Sequence, residues 1–439
     1  MAKPQEPFVF VTLQGPDDGG DFGPGTPGTK TGGIQEAIDH AHAICRDVYI
    51  WGGRGGLHEG KGLPDNIYRL EETLRIPWSQ DFRLDGGNYL LHYTGDSGPA
   101  VHIDSQMNCR YKFGLITSNA PGPVVCIKPE SPGPDDFTVI TASIFDFSCV
   151  VSHHPEGVSI QLDSSKGPII NSSFFAEETN STGTGLYLSD NGGQGHAISN
   201  NSIRVMYGNQ YHGRGDCTGL QLGDLGTDKI RHNTLEMSFH APRGAYFDQE
   251  KKAYVTIEGY IGEQAIGTLI HAQRNVMTLS FFGSREPGMD IIFEEDARDN
   301  TIMALNLPNG VTDRASVPTS KITTNWPVGF AVETPDIPVS GEPVVNRTSF
   351  SVQVLILEAG TVLSWSMFDP GSTPQLSPHN LSLVDNLKGA ARPVEPDQKK
   401  SGSRIEGGLH PGQTFTLEPG DAVSFDYSAP PKWRWKATR

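Results

Sequence analysis

The sequence predicts an all-β protein in which successive chain segments stack as repeated coils. Apolar segments recur between residues 157 and 310 and begin at Gly157, Gly185, Gly219, Gly244, Gly267 and Asp290, so successive starts lie 23 to 34 residues apart. Internal periods of this length are typical of stacked architectures. The 51 glycines and 32 prolines also fit many short strands joined by frequent turns.

Two columns of like residues support the stack. The residue three places after each start is large and apolar, as an inward-facing column requires: Ile160, Leu188, Leu222, Phe247, Ile270 and Phe293. Asparagine recurs later in the segments, and we expect these side chains to hydrogen-bond along a ladder at tight bends. They are Asn171, Asn201, Asn233, Asn275 and Asn300.

One helix and several short strands are predicted before the repeats. Residues 8–14 form a first strand in this interpretation, and a Gly- and Pro-rich loop follows. A helix is predicted over residues 34–45 by apolar positions at helical spacing: Ile34, Ile38, Ala41 and Ile44. Residues 47–51 predict another strand, and residues 67–77 predict two more.

This opening resembles that of pectate-lyase-like right-handed parallel β-helix proteins. The segments IQEAIDHA, YRLEETLRIP and FRLDGG carry the resemblance, which covers about residues 8–104 and continues through the repeats. In that family the helix caps the open N-terminal end of the stack, so the resemblance implies this fold and an action on carbohydrate. The loop before the helix differs from the family, because a longer Pro- and Gly-rich stretch replaces its acidic Gly-Asp-Gly-Thr-type segment. Many sugar-processing activities share this scaffold.

Three regions are predicted. An N-terminal cap with the first coils spans residues 1–104, a parallel β-helix body spans 105–325, and a small antiparallel β-module spans 326–439. The module's expected strands are SVQVLILE, TVLSWSM, QTFTLEP and AVSFDYS. Its ending, YSAPPKWRW, resembles the terminal β-modules of phage tail-type β-helix proteins. That resemblance implies oligomerisation or ligand presentation, and we expect a homotrimer.

Composition narrows the classes of partner. The chain has 34 basic against 51 acidic residues, a formal charge of −17, which argues against nucleic acid or an anionic membrane as the partner. Five scattered cysteines without a Cys-x-x-Cys pair are typical of free thiols in a reducing compartment. The N-terminus has no apolar signal core and no segment is long enough to span a membrane. We therefore expect a cytoplasmic protein, or a secreted one if a signal was removed.

Acidic residues follow the apolar column, and there we expect chemistry. Aligning the segment starts puts Asp190 beside Asp224, with Asp248 and then His271 on later coils. Parallel strands lie about 4.8 Å apart, so carboxylates on neighbouring coils can approach within roughly 5 to 7 Å. Such a pair provides the acid and the base that glycoside cleavage needs. Turn hydrogen bonding is the alternative role for Asp190 and Asp224.

A second candidate acid and base pair is Glu236 with Glu258. Strand alternation puts Glu236 on the side opposite Leu235 and Met237, and Glu258 ends a comparable strand, so the two glutamates could stack on one outer face. A glutamate on a solvated face is the commoner case.

Substrate-binding groups are predicted in the longest insert between coils. This insert contains Tyr211, His212 and Arg214, and long loops on a rigid scaffold concentrate binding groups. Contact with a neighbouring subunit is the alternative for this loop. Tyr187 and Tyr246 are predicted to share one outward column as a platform for sugar rings. The full predicted binding set is Tyr187, Tyr211, His212, Arg214, Arg243, Tyr246, Glu258 and His271.

No metal and no cofactor are predicted. The segment His153-His154-Pro-Glu156 has no geometry that points both rings at one ion. The sequence also has no phosphate-loop pattern, nucleophile elbow or dinucleotide fingerprint.

These features predict an enzyme that cleaves glycosidic bonds in a poly- or oligosaccharide, with Asp224 and either Asp248 or Glu236 as acid and base. A polysaccharide lyase acting by β-elimination is an alternative, with its base and its charge neutraliser drawn from His212, Arg214, His240, Arg243 and Tyr246. An intramolecular fructosyl transfer is a further alternative. The third is a non-catalytic, phage-tail-like glycan-binding protein.

Overall fold

A computed structural model describes most of the chain and divides it into two compact units. One unit is Met1–Asp296 with Ala304–Thr312, and the other is Ala297–Met303 with Asp313–Arg439. The described residues are 7–52, 67–87, 89–134, 136–181, 183–208, 217–240, 244–248, 253–257, 266–282, 289–305, 307, 311–324, 334–347, 351–368, 391–393, 402–406 and 408–437. Within these ranges, no helix has the length and apolar character needed to cross a membrane.

The elements follow one another as short strands with one α-helix near the start. Up to residue 118 they are β1 (Phe8–Val11), a 3₁₀ turn (Gly15–Asp18), α1 (Ile34–Ala43), β2 (Asp47–Trp51), β3 (Ile67–Leu70), β4 (Leu74–Ile76), β5 (Ser79–Gln80), β6 (Arg83–Gly87), β7 (Leu90–Tyr93), β8 (Val101–Ile103), β9 (Gln106–Met107) and β10 (Arg110–Ser118). Then come β11 (Gly122–Ile127), β12 (Ile140–Thr141), β13 (Ile144–Ser152), β14 (Gly157–Asp163), β15 (Ile169–Ile170), β16 (Ser173–Ser181), β17 (Thr184–Ser189), β18 (Ile198–Ser199), β19 (Ser202–Gly208), β20 (Thr218–Leu222), β21 (Ile230–Arg231) and β22 (Thr234–His240).

The later strands complete the coils and build the C-terminal module. They are β23 (Gly244–Asp248), β24 (Ala253–Ile257), β25 (Ile266–Ile270), β26 (Val276–Phe282), β27 (Met289–Phe293), β28 (Thr301–Leu305), β29 (Val311–Asp313), β30 (Lys321–Thr324), β31 (Pro343–Val345), β32 (Val352–Glu358), β33 (Thr361–Phe368), β34 (Ala391–Pro393), β35 (Gly402–Glu406), β36 (Thr414–Leu417), β37 (Ala422–Ala429) and β38 (Lys432–Ala437).

The coils of the first unit are built from three parallel sheets, and the third sheet contains fewer strands than the other two. The first sheet runs β1-β2-β6-β10-β13-β16-β19-β22-β26, the second β4-β8-β11-β14-β17-β20-β25-β27, and the third β5-β9-β12-β15-β18-β21. Strands that are neighbours in space are therefore one coil apart in sequence. This arrangement is a parallel β-helix, as the sequence predicts.

The apolar column of the second sheet is confirmed in most coils. The residues in register and buried are Leu162, Leu188, Leu222, Ile270 and Phe293. Ile160 also faces the core, but it pairs with Leu186 and so lies two residues away from its predicted place. The face was predicted correctly because a shift of two residues keeps a side chain on the same side of a strand.

The predicted coil at Gly244 is wrong. β23 pairs antiparallel with β24, with Phe247 and Tyr254 as backbone partners, and β20 pairs directly with β25. The segment is thus a hairpin inserted between two coils, and Phe247 is no part of the inward column. Asp248 does not follow Asp224 in register, and Tyr246 does not follow Tyr187. An alternating strand pattern is the same in a hairpin and in a coil, so the sequence alone does not reveal the partner.

The asparagine ladder is confirmed. Asn201 Nδ2 donates to Asn233 Oδ1 over 3.0 Å, and Asn233 Nδ2 donates to Asn275 Oδ1 over the same distance. Asn171 is not part of it, because the backbone N–H of Ser172 donates to Asn201 Oδ1 at that step. Asn171 occupies the bend one residue earlier, with a φ of 51°.

That bend has a left-handed residue in coil after coil. At this bend, successive coils have a residue with φ between 51° and 59°: Asp81, Asn108, Ala142, Asn171, Asn200, His232, Arg274 and Asp299. Left-handed backbone is costly for most L residues, while Asn and Asp tolerate it because their short side chains bond locally. Ala142 has an exposed side chain that cannot form such a bond.

We therefore expect Ala142→Asn to raise the free energy of unfolding by about 0.5–1 kcal/mol, since it relieves part of this backbone cost. Ala142→Val should lower it, because a branched side chain is less tolerant of positive φ. Differential scanning calorimetry of the full chain measures both. Equal midpoints for the two variants would contradict the assignment of strain to this position.

The helix α1 covers the first strands of two sheets. Its buried residues Ile34, Ala37, Ile38 and Ala41 face β1, β2 and β4. The predicted apolar face is confirmed except at Ile44, which lies at the C-cap and is 40% exposed. The helix ends there, so Ile44 no longer follows the helical spacing.

The second unit contains the predicted antiparallel module. One sheet runs β31-β37-β33-β35-β34 and another runs β36-β32-β38. Their shared core includes Trp365, Phe425, Trp433 and Trp435, and Trp433 Nε1 donates to the carbonyl of Pro335 over 2.7 Å. The aromatic ending of the sequence is therefore used for packing within this unit.

Candidate functional site

A row of polar side chains crosses the outer face of the second sheet. Strand register places Arg75, His102, Cys126, Gln161, Tyr187 and Gln221 in one outward column. We call this side the polar face and define it by the ionisable and amide groups that gather there: Arg75, His102, Lys128, Glu130, Asp163, Tyr187, Gln221 and Asp224. Since the alternate residues of these strands fill the core, the fold fixes where each polar group emerges.

One end of the polar face is a network of charges. His102 Nε2 lies 3.3 Å from Glu130 Oε2. Lys128 Nζ bridges two carboxylates, 3.1 Å from Glu130 Oε1 and 3.4 Å from Asp163 Oδ2. Burial lowers the pKa of His102, although the charge of Glu130 opposes this. Burial alone would lower the pKa of Lys128, but the hydrogen bond to Glu130 and the charge of Asp163 outweigh it, so this pKa is raised and the amine stays charged.

Asp104 holds Glu130 in place. Its Oδ1 accepts backbone N–H groups from Ser105 and Glu130, both over 2.6 Å, and from Ser131 over 2.8 Å. Burial would raise the pKa of Asp104, but the hydrogen bonds from Ser131 and Glu130 outweigh it and hold this pKa below its usual range. Asp104 is therefore an ionised group that fixes the turn after β11.

The other end of the polar face centres on Asp224. The Tyr187 hydroxyl donates to Asp224 Oδ2, and Gln221 Nε2 donates to Asp224 Oδ1 over 3.0 Å. Burial, and then the hydrogen bond to Asp224, raise the pKa of Tyr187, so its hydroxyl keeps its proton at neutral pH. Tyr187 lies half-buried on the outer face, on the side that its place in the repeat predicts.

Asp190 and Asp224 lie together through Thr227, as their alignment predicts. The Thr227 hydroxyl donates to Asp190 Oδ1 over 2.9 Å and accepts the backbone N–H of Asp224 over 2.8 Å. Asp190 is 0% exposed, and its carboxylate also accepts backbone N–H groups from Gly193 and Lys229. This geometry supports the alternative role of turn hydrogen bonding, in which Asp190 fixes the loop that carries Asp224. A direct catalytic role for Asp190 has no support in its burial.

His271 lies beside that loop on the next coil. Its Nδ1 is 3.6 Å from Asp296 Oδ2, and the same oxygen accepts the backbone N–H of Gly226 over 2.6 Å. The side chain of His271 is largely buried. Contact between His271 and a substrate stays a prediction.

Glu236 lies on a different face. It is on the outer side of the first sheet with 58% of its side chain exposed, and Arg204 Nε lies 3.7 Å from its Oε1. Its neighbours in register are Arg204 and Thr278. The predicted stacking with Glu258 assumed a coil strand, but β24 pairs antiparallel with β23, and Glu258 itself lies outside the described residues.

The remaining predicted residues belong to inserts between first-sheet and second-sheet strands. Tyr211, His212, Arg214, Arg243 and Glu258 lie outside the described residues. Tyr246 and Asp248 are described only as backbone of β23. Asp190, Asp224 and His271 instead follow second-sheet strands.

Four functional candidates escaped the sequence reasoning: His102, Lys128, Glu130 and Asp163. Three of them lie on coils before residue 157, which the repeat alignment did not include, although β11 begins at Gly122 in register with Gly157. Lys128 and Asp163 each directly follow the last apolar residue of their strand. Extending the alignment upstream by that feature would have found Lys128, whereas Asp163 lies inside the first aligned segment, one place after Leu162.

Neither a metal cluster in the described part of the chain nor a match to another protein guides the assignment. Among the described residues, no group of three or more His, Cys, Asp or Glu side chains could hold a metal ion. No protein-family model, no curated protein and no solved structure matches the chain.

Proposed function

We propose that this protein is a carbohydrate-active enzyme that cleaves glycosidic bonds on its polar face, with Asp163 and Asp224 as the carboxylate pair. The observation that carries the proposal is the arrangement of half-buried carboxylates at the ends of β14 and β20, with Tyr187 on β17 between them. Two strand spacings of about 4.8 Å separate the carboxylates by roughly 10 Å. A separation of this order leaves room for an attacking water, as in inverting glycosidases.

The surroundings of the two carboxylates favour different roles. Asp163 is paired with Lys128, and we assign Asp163 as the base that activates the water. A sugar that binds beside Tyr187 places its leaving oxygen next to Asp224, which we assign as the acid. Asp224 then protonates the leaving oxygen. Tyr187 presents its ring beside the same carboxylate, where it can stack on a sugar.

In this proposal the second carboxylate is Asp163, and not Asp248 or Glu236, which the sequence predicts as the partner of Asp224. Asp248 is in the hairpin and Glu236 is on the first sheet, so neither shares the polar face. The proposal extends to a distant relationship with pectate-lyase-like proteins, which the parallel sheets and the N-terminal helix support. The proposal also includes a carbohydrate substrate and a homotrimeric assembly, as expected from the sequence.

The charge pattern favours hydrolysis over β-elimination. The polar face combines the carboxylates Glu130, Asp163 and Asp224 with the cations Arg75 and Lys128. Lys128 is already engaged with two of those carboxylates. A lyase needs a positive charge available to neutralise a uronate carboxylate, and this face offers little of it. An uncharged glycan fits better.

A glycan screen tests the proposal. We expect the full chain to release new reducing ends from a neutral poly- or oligosaccharide, without absorbance at about 235 nm from an unsaturated product. Absorbance at that wavelength with a uronic oligosaccharide would replace hydrolysis by β-elimination. Binding to a glycan array with no product from any glycan would leave the non-catalytic binding protein.

A further inference from the structure

A groove of about 850 Å³ opens beside α1. Its wall is formed by α1, the loop before it, β4 and the turn at residues 93–97. The volume falls within the range of small-ligand sites. This groove plays no part in the chemistry proposed for Asp163 and Asp224.

The groove is built on a fixed wall. Gln35 Nε2 donates to the carbonyl of Arg75 over 3.0 Å, and the backbone N–H of Arg75 donates to Gln35 Oε1 over 2.8 Å. These reciprocal bonds tie α1 to β4. Lys30 pairs with Glu72 across the same region. The groove is therefore shaped before any ligand arrives, which lowers the ordering cost of binding.

Arg75 joins the groove to the polar face. Arg75 is one of the residues that line the groove, and its position on β4 is paired with His102 on β8. After burial and Glu130, the charge of Arg75 is a further influence on the pKa of His102 and lowers it. The groove therefore lies where the outward column of the second sheet begins.

The distance along this column sets the size of a ligand that uses both ends. Five strand steps separate β4 from β20, through β8, β11, β14 and β17. At about 4.8 Å for each step, the groove lies roughly 24 Å from Asp224. A ligand that spans this distance must be a chain of several sugar units.

The charge of the groove indicates which kind of oligosaccharide it can bind. The groove has more acids than bases among its lining residues: Glu36, Asp39, Glu71, Glu72 and Asp96 against Lys30 and Arg75. A uronate unit would meet net repulsion there. The polar acceptors and donors suit the hydroxyl groups of uncharged sugars.

We propose that the groove is a distal subsite that binds the end of an uncharged oligosaccharide whose chain runs along the polar face to Asp224. This inference rests on the proposed function and adds to it a polymeric substrate, a direction of binding and a second contact region. Binding energy gained in the groove, away from the reacting bond, would be used to raise the rate of cleavage.

The test uses the full chain and oligosaccharides of two to eight units. The panel contains neutral gluco-, manno-, xylo- and fructo-oligosaccharides, with oligogalacturonides of the same lengths. Ser97, exposed on the groove wall, is replaced by tryptophan to fill the space. Ser202→Trp on the outer side of the first sheet is the matched control.

We expect cleavage rates to rise with chain length, and Ser97→Trp to lower kcat/KM about tenfold for the longest substrates while leaving the shortest unchanged. Ser202→Trp should match the wild type at every length. If Ser97→Trp has no effect, or the same effect at every length, the subsite is wrong while the proposed function stands. Preferred cleavage of oligogalacturonides would also overturn the proposed subsite for uncharged sugars. If the wild type cleaves none of the panel, both proposals fail.

Discussion

Asp224→Asn is expected to lower the kcat of glycan cleavage by about 10²–10⁴-fold, because the amide cannot give a proton to the leaving oxygen. The substitution keeps an acceptor for the Tyr187 hydroxyl, so the local hydrogen bond can persist. The measurement is the steady-state rate on the substrate that the screen identifies, together with the thermal midpoint of each variant.

The matched control for this experiment is Asp228→Asn. Asp228 lies in the same loop with an exposed side chain outside the polar face. It should retain the wild-type rate. Asp163→Asn should lose activity like Asp224→Asn, since it removes the base. Full activity in Asp224→Asn with an unchanged midpoint would exclude this carboxylate from the chemistry.

Asn233→Ala is expected to lower the free energy of unfolding by about 2–4 kcal/mol, because it leaves several buried polar groups unpaired. Asn233 Nδ2 donates to the carbonyl of Ile198 over 2.9 Å as well as to Asn275, and Asn233 Oδ1 accepts from Asn201. No exposed surface is available for water to replace these bonds, since Asn233 is almost fully buried.

The control for the ladder is Asn200→Gly. Asn200 lies one residue before the ladder, exposed and at a φ of 58°, which glycine also adopts. Its thermal midpoint should stay close to that of the wild type, within the roughly 0.5 kcal/mol expected of a surface change. Urea or thermal unfolding followed by circular dichroism compares the variants. If Asn233→Ala and Asn200→Gly lower the free energy of unfolding equally, the ladder does not provide the stability assigned to it.

The architecture could be predicted because every coil must meet the same packing and hydrogen-bonding requirements. Each coil must turn an apolar residue inward and must satisfy buried amides at the bend, so Leu188, Leu222 and the ladder asparagines recur at matching places. Such demands leave a period in the sequence. The neighbourhood of Asp190 and Asp224 follows from the same period.

The candidate site was only partly predictable, because its members depend on pairing and burial. The hairpin of β23 and β24 has the alternation of a coil, and this similarity led to Asp248 as the partner of Asp224. The polar face instead continues toward the N-terminus to Asp163. Nor does the sequence tell that Asp190 is enclosed by its own loop and by the Asp224 loop of the next coil, since an aspartate after a strand can face either way.

The most direct measurement is a crystal structure of the Asp224→Asn variant with a neutral oligosaccharide bound. The account predicts sugar units along the outer face of the second sheet, with one unit against Tyr187 between the two carboxylate positions. Sugar bound instead beside Glu236 on the first sheet, or near the inserted hairpin with the polar face empty, would contradict it.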